Sequence, residues 1–362
     1  MTPEPLDLQR EIDDELLLES VPGALDYLVA EIADLNSSGA ASCTVLHRFS
    51  GALLVHYKGP LEPLAAIRYY SGCAVWLGTD LAALDPSRLR GLVDRSRSQG
   101  VIGLLEDGRT PGFRVAEDLG ERRWPVREAL VDDLGWINAP TDWVLNVRAY
   151  DDSVALEVGP LYQTARFGRL ARIPASTTPV ISAVLARLLK AEPGQLVLDP
   201  FCGAATNLLS AAQATSDVRL VGLDLHREAM VAARQNLAPL APLATWNLVR
   251  GNAGRLPFAA DSVDRVVSNI PFGKRVGSHR GNVELYPLFL RELSRVLTAK
   301  GRAVLLTEDK RLFVESVQRT AGLRVIKEIE FETGGLHPSA YVLVRGRSSG
   351  RRSGPARKRG RR

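Results

Sequence analysis

From residue 195 onward, short apolar runs alternate with amphipathic stretches. QLVLDPF (195–201) is a brief apolar run ending in a glycine turn, and 204–214 is a small-residue stretch with helical spacing. VRLVGLDL (218–225) reads as a second buried strand and HREAMVAARQNL (226–237) as a helix. TWNLVRGNA (245–253), VDRVVSNIP (263–271) and GRAVLLTE (301–308) predict further strands, with a helix over 284–298 between the last two. RLFVESVQRTAG (311–322) predicts one more helix. RVIKEIEF (324–331) and AYVLVRG (340–346) alternate in polarity across a Gly/Pro turn, the pattern of a hairpin at a sheet end. Strands that are apolar throughout, alternating with helices, predict an α/β fold with a mostly parallel sheet covered on both faces.

The upstream pattern is α+β. GALDYLVAEIAD (23–34) is an amphipathic helix, ALLVHYKG (52–59) a strand, 61–70 a helix and CAVWLGT (73–79) a strand. FRVAED (113–118), a helix over 125–134, and a hairpin of WVLNVRAY (143–150) with SVALEVG (153–159) follow. The stretch GPLYQTARFGRLARIPASTTP (159–179) scatters Gly, Pro and Arg without apolar periodicity, which predicts a linker at 160–178.

Composition and charge refine this picture. A chain of 362 residues, 45% hydrophobic and 24% charged, is long enough for two or three globular domains. The net charge of +5 is unevenly placed. Residues 1–34 hold ten acids and one base, Arg10, whereas 345–362 hold nine Lys/Arg and no acid. The Gly/Ser/Arg-rich end predicts a disordered basic tail with a polyanionic partner. No apolar run approaches the ~20 residues a membrane span requires, so no membrane partner is expected. The acidic start predicts no secretory signal. Cys43, Cys73 and Cys202 form neither a disulfide framework nor a metal knuckle, which excludes a cysteine metal site and points to the cytoplasm.

Candidate chemistry gathers at strand ends. In DPFCGAAT (199–206) a carboxylate precedes a small-residue turn into a helix, the way an α/β sheet binds an adenosine-type cofactor. Gly203 permits close backbone approach, and Asp199 is placed to hold the ammonium of a methionine-like group, directly or through water. Asp224 ends the next strand, 21 positions after Gly203, at the spacing of a ribose-hydroxyl acceptor. Asn252 and Ala253 offer a side chain and an amide to an adenine edge. The fourth strand end, SNIPFG (268–273), sets Asn269, Ile270, Pro271 and Phe272 in a row. The side-chain oxygen of Asn269 and the carbonyl of Ile270 are two acceptors for the N–H groups of an exocyclic amine, orienting it toward a methyl sulfonium. Pro271 stiffens the turn and Phe272 offers a stacking face for a base. A protein glutamine amide presents the same chemistry to such a turn.

DPFCGAAT resembles the DPFCGSGT cofactor motif of THUMP-domain RNA guanine-N2 methyltransferases, chiefly those acting on tRNA. SNIPFGKRVGS resembles their N/D-x-P-F/Y-G-x-R-x-G-S segment, and RIPASTTP (172–179) is similar to the R-x-P-A-S-x-x-P run that opens their catalytic domain. VPGALDYLVAEI (21–32) and ERRWPVRE (121–128) are similar to their N-terminal and THUMP segments. The resemblance implies a class I (Rossmann-like) seven-stranded methyltransferase domain over 179–346. It implies a ferredoxin-like/THUMP-like RNA-binding region over 21–159, between an acidic extension at 1–20 and the tail at 347–362. It implies S-adenosyl-L-methionine as cofactor, with Asp199, Phe201, Gly203, Asp224, Asn252 and Ala253 as contacts. Asn269 to Phe272 become the catalytic segment, and Lys274 and Arg275 are placed beside the RNA. Two positions depart from the pattern: Ala205 replaces its second glycine, and Asn252 stands where an aspartate is common. The expected activity is formation of N2-methylguanosine, in tRNA. Methylation of ribosomal RNA, methylation of protein glutamine, and an RNA-binding relic weakened by Ala205 are the rivals.

Overall fold

The computed structural model describes residues 6–240, 244–272 and 279–346, excepting the side chains of residues 279 and 280. Lys274, Arg275 and the 347–362 tail lie outside the described residues. The chain divides into two compact units, one built on residues up to Arg172, the other on Ile173–Ser176, Leu185–Ile329 and the residues from Pro338 on.

The first unit is α+β. Its strands are β1 (Glu11–Glu19), β2 (Ser42–Arg48), β3 (Ala52–Pro60), β4 (Gly72–Asp80), β5 (Gly112–Val115), β6 (Ile137–Asn138), β7 (Leu145–Tyr150) and β8 (Ser153–Val158). They form one eight-stranded sheet in the order β2-β3-β1-β4-β8-β7-β5-β6. The expected acidic extension is corrected here, because Glu11–Glu19 is an interior strand antiparallel to both β3 and β4. Its Leu16, Leu17 and Leu18 are fully buried. The expected linker is corrected in part. Arg166 donates to the carbonyls of Leu161, Ala65, Ile67 and Tyr70 and stacks on the Tyr70 ring, which fixes that stretch to the first unit. Burial draws the Arg166 guanidinium pKa down, and the four carbonyls meet its need for acceptors.

The second unit carries the predicted α/β sheet. Its strands are β9 (Leu196–Asp199), β10 (Arg219–Asp224), β11 (Thr245–Arg250), β12 (Val263–Asn269), β13 (Leu297–Thr307), β14 (Leu323–Glu330) and β15 (Ser339–Arg345). The order is β11-β10-β9-β12-β13-β15-β14. The pairs from β11 through β13 are parallel, and β15 is antiparallel to β13. The chain starts at the sheet centre, moves outward to β11, then returns to the other side of β9 at β12. The switch point, where a crevice opens at the carboxyl ends of strands, therefore lies between β9 and β12. One core face packs Leu198 and Val266 with Tyr286, Phe289, Leu293 and Phe313 from the covering helices. Removing such side chains from water is the main stabilising term, ~1.5–3 kcal/mol for each fully buried one.

Candidate active site

The carboxyl ends of β9, β10 and β12 bring Asp199, Asp224 and Asn269 to one edge of the sheet, with the loop 200–205 beside them. Asp199 is the most enclosed, with 0% of its surface exposed. Its Oδ1 accepts from Ser268 Oγ at 2.6 Å and from the Phe201 amide at 3.1 Å, and its Oδ2 accepts from Asn207 Nδ2 at 3.1 Å. Burial pushes its pKa up to about 7, with Asp224 adding in the same direction, while the three donors pull it down. Both oxygens thus serve the protein. Asp199 ties β12, the loop and the helix Thr206–Ala214 together.

Asp224 is half-buried at the carboxyl end of β10. Its Oδ2 accepts the Gly203 amide at 3.0 Å and its Oδ1 the His226 amide at 2.9 Å. Gly203 has φ +52, and a Cβ there would meet only Ile173 Cδ1, at 3.4 Å. The loop is therefore curled with its backbone open to close approach. Ala205 also lies in the left-handed region, at φ 61 and ψ 24, where a Cβ costs ~1–2 kcal/mol. Phe201 packs edge-on against Phe289, ring centroids 5.1 Å apart. Asn252 closes its own turn, with Oδ1 accepting the Gly254 amide at 2.8 Å, and Ala253 is buried beneath it.

Asn269 has the most unusual environment. Its Nδ2 donates to the Ala175 carbonyl at 3.3 Å, while its Oδ1 is buried and has no hydrogen-bond partner among the described residues. A buried acceptor left unpaired costs ~1–3 kcal/mol. The anchor is itself constrained. Ala175 has φ 63, and Ser176 Oγ bonds both the amide and the carbonyl of Ile173, locking the 173–176 turn. Beyond Asn269, the Ile270 amide donates to the Leu306 carbonyl at 3.0 Å. The Pro271 carbonyl accepts from Tyr286 Oη at 2.6 Å, and that hydroxyl also meets Thr307 Oγ1 at 2.9 Å. The Asn-Ile-Pro-Phe segment is thus held at both ends, with Phe272 half-exposed at its tip.

Sequence reasoning did not single out Ser268, Asn207, Ala175, Ser176 or Tyr286. Ser268, Tyr286 and the 175–176 pair lay inside the family-like segments, but Ser268 and Ala175 meet partners distant in sequence, Asp199 and Asn269. Among the described residues, no group of three or more His, Cys, Asp or Glu is placed to hold a metal ion. Nor is any described helix long and apolar enough to cross a membrane.

Residues 166–339 match the RMKL-like methyltransferase domain. The chain is 33% identical over 185 residues to human tRNA (guanine(6)-N(2))-methyltransferase THUMP3, covering 48% of this chain and 36% of that one. It is 33% identical over 201 residues to tRNA (guanine(6)-N2)-methyltransferase of Thermus thermophilus, covering 55% of this chain and 58% of the relative. The chain therefore spans less than two thirds of either relative's length. The crystal structure of TrmN from Thermus thermophilus superposes with a TM-score of 0.68 at 25% identity, over 91% of this chain and 99% of that one.

Proposed function

We propose, from the premise that residues 166–339 form an RMKL-like methyltransferase domain, that this protein methylates the exocyclic amine of a guanine in RNA, in tRNA first of all. One observation carries the reading. The buried, unpaired Oδ1 of Asn269 sits at the carboxyl end of β12, where the base amine needs an acceptor.

The residues fit S-adenosyl-L-methionine. Asp224 stands half-exposed at a strand end for the ribose hydroxyls, and the curled loop at Gly203 leaves room for a chain of atoms along its backbone. Phe201, Asn252 and Ala253 flank the same edge, and Asp199 shapes the loop from behind. The bound cofactor supplies an electrophilic methyl group. The protein supplies orientation: Asn269 Oδ1 and the Ile270 carbonyl accept the two amine protons, and Phe272 stacks on the ring. No strong general base is required, since the amine proton becomes acidic once the methyl has transferred. Phosphate contacts fall to Lys274 and Arg275, and the α+β unit over 21–159 takes the THUMP-like role of gripping the RNA. The excess of Lys and Arg at 345–362 supports a polyanionic substrate, and three buried free cysteines suit the cytoplasm.

Labelled S-adenosylmethionine, purified protein and total tRNA test the reading. Digested RNA should contain labelled N2-methylguanosine, and labelled N6-methyladenosine in its place would overturn it. The relic reading turns on Ala205. Because residue 205 is left-handed, Ala205→Gly should relieve strain, less the ~0.4–1 kcal/mol that glycine loses through unfolded-state entropy. The variant should melt higher by up to ~1 kcal/mol of stability and bind S-adenosylmethionine as tightly as the parent or up to ~10-fold tighter. Weaker binding on calorimetric titration would show that the loop is built around the alanine.

A further inference from the structure

The Asn-Ile-Pro-Phe segment accepts an amine without saying which base carries it. A second buried asparagine bears on that question. Asn282 lies on the helix His279–Val296, is 1% exposed, and its Nδ2 is a buried donor with no hydrogen-bond partner among the described residues. It belongs to the apolar face of that helix, in line with Tyr286, Phe289 and Leu293, all buried. The helix runs antiparallel to the strands. At its far end the carbonyls of Arg295 and Val296 receive the amides of Asp261 and Ser262, just before β12 begins. Tyr286 reaches the carboxyl ends of β12 and β13, through Pro271 and Thr307. Asn282 is one turn further on, ~6 Å along the axis. That places it beyond the sheet edge, at the level of the segment that follows Asn269.

We infer that Asn282 is a specificity residue, its side-chain amide donating to the ring carbonyl of guanine. This rests on the function proposed above. Guanine carries an amine and, across one ring nitrogen, a carbonyl oxygen. Adenine, turned to present its amine to Asn269, has a C–H in that second place. An acceptor at Asn269 and a donor at Asn282 therefore complement guanine and leave the donor unpaired against adenine. A site built to bond a polar group discriminates strongly against an analogue that lacks it, because its own buried group is then stranded. Both asparagines bear an unpaired buried atom of the sign this pairing needs.

The test uses RNA whose modified guanine has been located by mass spectrometry, and the same RNA with 2-aminopurine at that position. The analogue keeps the amine and replaces the carbonyl by C–H. Wild-type kcat/KM should favour guanine by ~10-fold or more, the effect of one buried hydrogen bond. Asn282→Leu keeps the branching of the side chain and removes the unpaired donor, so the fold should melt no lower. In that variant the preference should fall to within ~3-fold, through loss on guanine and not on 2-aminopurine. Asn282→Gln, which keeps the donor, should restore part of the preference. A leucine variant that retains the wild-type preference, or loses rate equally on both RNAs, overturns the assignment. Wild-type protein that methylates neither RNA overturns the function beneath it, a separate and recognisable failure.

Discussion

Asn269→Ala should lower the rate of methyl transfer by ~10²-fold or more while leaving S-adenosylmethionine affinity nearly unchanged. In the proposed function the side chain faces the base amine, whereas the described contacts of the 200–205 loop run through Asp199, Asp224 and Gly203. Alanine removes the buried Oδ1 acceptor together with the Nδ2 anchor on Ala175. The amine then turns freely and its lone pair is no longer aimed. Single-turnover rates with labelled cofactor measure the first effect, and calorimetric titration the second. Removing the unpaired buried oxygen offsets the loss of the bond to Ala175, so the net change in stability should be small, and the melting temperature checks this. A variant within ~10-fold of wild-type turnover would remove Asn269 from the reacting centre.

The sheet around that centre was legible because parallel strands covered on both faces read as short apolar runs, as in LVL of β9 and LVGL of β10. The same logic concealed β1. Four acids among Glu11–Glu15 suggested a solvated segment, yet Asp14 is 2% exposed and is satisfied by Ser96 Oγ and the Val101 amide. Those partners lie 82 and 87 residues away, beyond any local pattern. β2 went unseen for the opposite reason: it is an edge strand, and most of its residues are exposed. The site divides in the same manner. Asp224 and Asn269 end strands and Gly203 lies in the loop after β9, places that local sequence marks. Ser268, Tyr286 and Asn282 matter through what the fold sets beside them, as when Ser268 reaches Asp199 across 69 residues. Asp199 is the instructive case. Its position was legible, while its full burial and its bonds to Ser268 and Asn207 come only with the fold.

Asp224→Ala should weaken S-adenosylmethionine binding by ~10²-fold. Two losses combine. In the proposed function the ribose hydroxyls lose a charged acceptor, and hydrogen bonds to charged groups contribute ~1.5–3 kcal/mol each. The loop also loses the bond that holds the Gly203 amide at 3.0 Å, so its curl is no longer fixed before the ligand arrives. The two losses separate by substitution. Asp224→Asn keeps one oxygen able to accept from Gly203 but carries no charge, so it should bind between wild type and the alanine variant. Removing the negative charge also lowers the pKa of Asp199, because Asp224 is one of the groups that raises it. Loss of affinity should therefore persist from pH 6 to pH 8 in the alanine variant, since it does not depend on the Asp199 proton. An alanine variant that binds within ~3-fold of wild type would show that Asp224 shapes the loop without touching the ribose. A drop confined to the higher pH would instead place the affinity in Asp199, the buried neighbour.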